Sequence, residues 1–331
     1  MGSGIFWLAM LGLWLEDERL TLREDLPVPS PGDGEVRVSL IQAGICATDH
    51  GLVAGMYPFS GVLGHEFVGV VEEGPPDLRG QRVVGEINAV CHECVHCLGG
   101  RPRHCANRTV LGIVGRHGAF AESLVLPAEN LHTVPSGVSN EEAVFVEPLA
   151  AALEILEQVS VRPGDRVLVV GDGRLGQLVA QTVALTGCDL AVSGRHAHKL
   201  RFLEERGVST LDATAADGAG EVEAGAYDLA VECTGNETGY TAARAALRPQ
   251  GTLVLKSTYP GNLSLNATML VVDEIRVLGS RCGPFPPALR LLEQGLVDVS
   301  YLIDASFPLA QGLAAFAESA RRATLKVTLH P

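Results

Sequence analysis

An apolar run at 167–170 passes directly into Gly171, Gly173 and Gly176, spaced as G-x-G-x-x-G, and this junction leaves the chain few folds to adopt. A continuous apolar run suits a strand buried on both faces, as in a parallel sheet. The first glycine permits a tight turn, the second lets backbone approach a pyrophosphate, and the third lets the next helix lie close to the strand. The N–H groups and dipole at the start of that helix favour phosphate. An ordinary glycine-rich strand-to-helix turn has the same letters, so the context decides. Further runs at 190–193, 227–233 and 251–256 alternate with helix-like segments, the first of which reaches Gly187. Such alternation predicts a doubly wound α/β unit over about 141–275. Arg174, Leu175 and Thr234 join the glycines as candidate cofactor-binding residues.

The end of the second strand bears on which dinucleotide fits. A carboxylate there would hold the ribose hydroxyls of NAD. The chain instead has Ser193, Gly194 and Arg195, with Lys199 one turn on, while Asp189 precedes the run and so lies at its wrong end. A small residue followed by arginine leaves room for a 2′-phosphate and offers it a forked donor. NADP is therefore the expected cofactor and NAD the alternative; a solvated helix start at Arg195 and Lys199 is the bland reading.

Upstream lie Cys91, Cys94, Cys97 and Cys105. Short hops let successive thiolates point at one centre, as a tetrahedral zinc site requires. A redox dithiol and an iron–sulfur cluster use similar openings. The seven-residue gap before Cys105 and Ala106 after it do not fit the commonest cluster pattern. A structural zinc held by the four sulfurs is expected in a lobe at about 88–108. His92, His96 and His104 are competing donors.

Three further fragments suggest a second, open metal site: Cys46 with Thr48 and Asp49, His65 with Glu66, and Glu147 before Pro148. Each alone is unremarkable, since lone cysteines and histidines usually pack or hydrogen-bond. Together, upstream of a dinucleotide fold, they offer a thiolate, imidazole and carboxylate set of the catalytic zinc type, which keeps one position open. Asp49 would orient His65 from behind.

The 331 residues favour two domains. Eight cysteines at metal-ligand spacing point to a reducing compartment. A net charge of −14 without a basic run argues against nucleic acid. The apolar stretch 5–15 is too short to span a bilayer and lacks the basic flank of a secretory signal. A cytoplasmic protein with no membrane partner is expected, with residues 1–4 as an extraneous start and Met10 as a possible natural one. Residues 10–135 read as short strands between Pro/Gly turns, and Pro148 opens a helical stretch. Tyr57 and Phe59 are candidate pocket aromatics with core packing as the even alternative.

With these motifs in order, the chain from about residue 10 to its end resembles the zinc-dependent medium-chain alcohol dehydrogenases. The resemblance implies a GroES-like β-rich catalytic domain at 1–140, a Rossmann domain at 141–275 and a return to the first domain at 276–331. It resembles the polyol branch in carrying Glu147 before proline. It also implies that Glu66 is a direct or alternating ligand and that Glu147 can bind through water. The family's relay histidine falls at Gly51 here, and His50 stands one position earlier as a substitute. The implied reaction moves hydride between NADP(H) and an alcohol, a polyol or the matching carbonyl, with Thr48 taking the hydroxyl proton and passing it towards His50. Homodimers or homotetramers joined at Rossmann edges are implied too, with 263–265 as a candidate pairing strand. The alternatives are a zinc-free quinone or enoyl-type reductase on the same scaffold and a non-catalytic cofactor-binding protein.

Overall fold

A computed structural model describes residues 9–214, 220–259 and 261–331. Residues 1–4, read as an extraneous start, and the first part of the 5–15 stretch lie outside the described residues. The chain divides into two compact units. One runs up to Glu147 and resumes over Leu289–Pro331, and the other is Pro148–Ala288.

The first unit is built on a seven-stranded, largely antiparallel sheet. Its central strand, Glu35–Gly44, alternates in burial, with Val36, Val38 and Leu40 inward. That two-residue period makes one face core and the other surface. Glu66–Glu73 pairs with it antiparallel, placing Glu66 opposite Gly44. The last strand of the chain, Lys326–His330, pairs antiparallel on its other side, with Thr328 opposite Gly44. Residues from both ends of the sequence therefore meet around Gly44. Leu13, Leu15, Phe120, Leu124 and Leu126 fill the apolar interior.

The second unit is a six-stranded, all-parallel sheet of β1 (Arg166–Val170), β2 (Asp189–Gly194), β3 (Ser209–Asp212), β4 (Tyr227–Glu232), β5 (Leu247–Leu255) and β6 (Arg276–Gly279). Their order is 3-2-1-4-5-6, the doubly wound arrangement with its switch point beside β1. The apolar runs of β1 and β4 form its core with Tyr240, Ala243 and Leu253. Strand β6 lies beyond the limit of 275 read from the sequence. It is exposed and lacks the apolar run that marks the inner strands. The expected pairing strand at 263–265 is a correction: those residues form no strand, and the sheet ends at β6. No helix among the described residues is long and apolar enough to cross a membrane.

Candidate active site and metal centres

The helix Ala47–Val53 starts at Cys46, whose extended backbone makes it the N-cap. The cap rests on Asp49, three positions on, whose Oδ2 accepts the Cys46 N–H at 2.8 Å. Asp49 is fully buried, and its Oδ1 lies 3.2 Å from His65 Nδ1. Those two buried atoms face each other without a well-directed hydrogen bond. One carboxylate thus fixes both the Cys46 backbone and the His65 ring. Burial opposes charge on His65, but Asp49 and then Cys46 outweigh it and hold the imidazole well above its ordinary value.

His65 follows Gly64, which has φ +96° and lies against the Phe120 ring. A Cβ at Gly64 would come within 2.5 Å of that ring, so only glycine makes this turn. Glu66 opens the next strand. Ligand atoms of Cys46, His65 and Glu66 all lie within 4.8 Å of one another. Glu147, in the first turn of the helix Val146–Gln158, does not belong to that closest set. Thr48 Oγ1 is 3.9 Å from Cys46 Sγ. His50 Nε2 is 2.8 Å from Ser319 Oγ, and Ser319 donates its own proton to Phe316 O. His50 Nε2 therefore carries the hydrogen, and Ser319 anchors the ring. Tyr57 is half exposed, which rules out core packing for it, and Phe59 is partly buried near Gly61.

The sequence did not single out Lys326. Its ammonium, fully buried in the final strand, pairs with Glu66 Oε2 and donates to Ile45 O at 3.3 Å. A lysine at the start of a closing strand that is otherwise buried up to its last residue is visible only in the structure. The pair keeps the Glu66 carboxylate balanced beside Cys46 and His65.

The four cysteines of the lobe converge. Sulfur separations are 3.5 Å for Cys94–Cys97, 3.9 Å for Cys94–Cys105 and 3.4 Å for Cys91–Cys105. A tetrahedron with zinc–sulfur bonds of about 2.3 Å has sulfur edges of about 3.8 Å. The observed spacing suits one enclosed ion. Backbone N–H groups of Cys97 and Ala106 bring Cys94 down to about 6, favouring thiolate. His92 instead meets Glu129 at 2.6 Å.

In the second unit the glycine loop has the shape a dinucleotide needs. Gly171 has φ +119°, and a Cβ on Gly176 would come within 1.9 Å of Gly171 O, so the helix Arg174–Ala184 packs tightly on the loop. A Cβ on Gly173 would meet nothing within 4 Å, which leaves open space above the helix start. Thr234 is pinned after β4, its N–H and hydroxyl both donating to Glu232 at 2.5 Å. Ser193 is buried, Arg195 exposed, and Lys199 only 3 % exposed. Asp189 is the first residue of β2, at the far end from Gly194.

Comparison with known proteins gives consistent matches. Residues 32–136 match the alcohol dehydrogenase GroES-like domain, and residues 175–294 match the zinc-binding dehydrogenase family. The chain is 28 % identical over 326 residues to a sorbitol dehydrogenase of Halalkalibacterium halodurans, covering 93 % of this chain and 95 % of that one. A zinc-binding dehydrogenase of Sinorhizobium meliloti 1021, solved bound to NADP, superposes with a TM-score of 0.89 at 29 % identity, covering 98 % and 99 % of the two chains. A thermostable alcohol dehydrogenase of Pyrobaculum aerophilum gives a TM-score of 0.84 at 28 % identity, covering 98 % and 100 %.

Proposed function

The chain belongs to the zinc-type medium-chain dehydrogenase family, and from that premise we propose that it is an NADP-dependent oxidoreductase acting on an alcohol or polyol, or on the matching carbonyl. The observation that carries the reading is the close set of Cys46, His65 and Glu66, with Asp49 behind two of them. A thiolate, an imidazole and a carboxylate form a donor set suited to zinc with an open position. Glu147 lies outside that closest set, and the family resemblance would add its carboxylate to the metal's donors.

Zinc held there supplies Lewis-acid polarisation of the substrate oxygen, and the bound dinucleotide supplies or accepts hydride. The chain's own residues do the rest. Asp49 fixes the ring of His65 and the backbone of Cys46. Lys326 balances Glu66. Thr48, beside Cys46, takes the hydroxyl proton and passes it towards His50, whose ring Ser319 holds at Nε2. Gly171, Gly173 and Gly176 admit the pyrophosphate, with Arg174 and Leu175 at the helix start and Thr234 at the end of β4. NADP rather than NAD follows from Gly194 and the exposed Arg195. Lys199, 3 % exposed in the helix Ala197–Glu204, is the second basic residue at that strand end.

A reducing, cytoplasmic setting accords with eight unpaired thiols. Assembly as a homodimer or homotetramer is proposed through the exposed edge at β6, where Val277 sits near the exposed Val271 and Val272 in sequence.

The test combines metal analysis with NADPH oxidation and NADP reduction over a panel of polyols, alcohols, aldehydes and ketones. Cys46→Ser and His65→Ala should abolish turnover yet bind NADPH. Full turnover by either variant without zinc at that site would return the chain to the zinc-free reductase reading.

A further inference from the structure

The sequence places no carboxylate at the end of β2, yet the fold brings one there. Asp172, the residue between the first two glycines of the loop, is 7 % exposed. Its Oδ2 accepts the backbone N–H of Arg195 at 2.8 Å and of His196 at 2.7 Å. His196 Nδ1 lies 3.0 Å from the same oxygen and 3.1 Å from Oδ1. A carboxylate accepts only, so Nδ1 of His196 carries the hydrogen. Gly194 completes the arrangement, because a Cβ there would fall 2.6 Å from the Asp172 Cβ. A side chain at position 194 would therefore displace the Asp172 carboxylate.

The end of the second strand is where a doubly wound fold meets the 2′ position of the adenosine ribose. Here that end is a short turn, 194–196, and its two N–H groups are already satisfied by Asp172. They are not available to a phosphate. What the turn presents is the exposed Arg195 side chain and the partly exposed His196 ring.

We infer that Asp172 is the positioning residue that sets the discrimination between the two nicotinamide dinucleotides, by fixing the 194–196 turn so that Arg195 and His196 face the ribose 2′ substituent. The inference rests on the reading of this unit as dinucleotide-binding. A rival effect has the opposite sign: a carboxylate near a 2′-phosphate repels it. In this turn three donors already share the charge of Asp172, and the group is buried. Orientation of the Arg195 and His196 side chains therefore dominates over repulsion.

Isothermal titration of the full-length chain with NADPH and with NADH decides between them, for the unmodified protein, Asp172→Asn and Asp172→Ala. Loss of the strut should weaken NADPH about tenfold or more in the alanine variant and change NADH less than about threefold. The asparagine variant keeps an acceptor oxygen and should fall between. Thermal unfolding without cofactor checks that the variants are folded, and asparagine serves if alanine does not fold. A ratio of NADH to NADPH dissociation constants that stays put, or moves towards tighter NADPH, overturns the inference. An unmodified protein that favours NADH refutes the proposed cofactor preference separately, since the direction of the variants' shift still decides the role of Asp172. Binding of neither dinucleotide overturns both.

Discussion

At the scale of single residues, two buried groups carry consequences that can be measured. Lys326 and Glu66 are both essentially inaccessible, so removing one partner leaves an uncompensated charge in the interior. Such breaks cost about 3–5 kcal/mol. Lys326→Met should lower the unfolding free energy read from urea titration by that order, and adding Glu66→Gln should restore part of the loss in a double-mutant cycle. Additive losses would show that the two side chains do not depend on each other. His117 gives a pH-dependent case. Burial pushes its imidazole below the ordinary value, and the Val62 N–H donates to its Nδ1 at 3.3 Å. Protonation therefore favours the unfolded chain. The contribution is complete above the unfolded value of about 6.5 and is lost as pH falls from there through the lowered folded value. Between pH 7.5 and 5, His117→Gln should lose less stability than the unmodified protein; an equal loss in both would remove His117 from the account.

Elements separate packing from ligand access. In the glycine loop, a Cβ at position 176 would collide with Gly171 O, whereas one at 173 would enter open space. Gly176→Ala should lower the melting temperature of the protein without cofactor. Gly173→Ala should leave that temperature unchanged yet weaken dinucleotide binding about tenfold or more, because its added methyl enters the space for pyrophosphate. Equal melting temperatures for the two variants would contradict this division of roles. The cysteine lobe is an element of another kind, formed by short turns with little apolar interior of its own. Val95 and Leu98 are 72 % and 77 % exposed. Its shape depends on the four sulfurs, and an isolated structural zinc site contributes about 10–16 kcal/mol in apparent terms. Cys97→Ser should release that zinc and expose the lobe to protease, while NADPH binding remains. Retention of full zinc content and protease resistance would show that the lobe is held by something else.

For the whole molecule, the two donor sets proposed as zinc sites predict two zinc ions per chain with different lability. The closed sulfur set should resist a chelator longer than the open set of Cys46, His65 and Glu66. Chelation followed by metal analysis should find activity lost after the first ion leaves while the fold persists. Simultaneous loss of both ions and of structure would contradict an independent open site. The net charge of −14 predicts no measurable binding to DNA at physiological salt.

What the sequence determined was local and periodic. The apolar run before Gly171 fixed a buried parallel strand, and the glycines fixed how close the next helix could come. The spacing of Cys91, Cys94, Cys97 and Cys105 required short turns that bring sulfurs together. Strand β6 escaped notice because an exposed edge has no continuous apolar run. Tertiary structure decided the rest, since it depended on partners distant in the chain. Glu66 meets Lys326 across 260 positions because Glu66–Glu73 and the closing strand Lys326–His330 flank Glu35–Gly44. Asp172 reaches the 194–196 turn because β1 and β2 lie side by side in parallel, ending together. Linear spacing records neither meeting; strand order and register create both, and they alone decide which buried charges face one another.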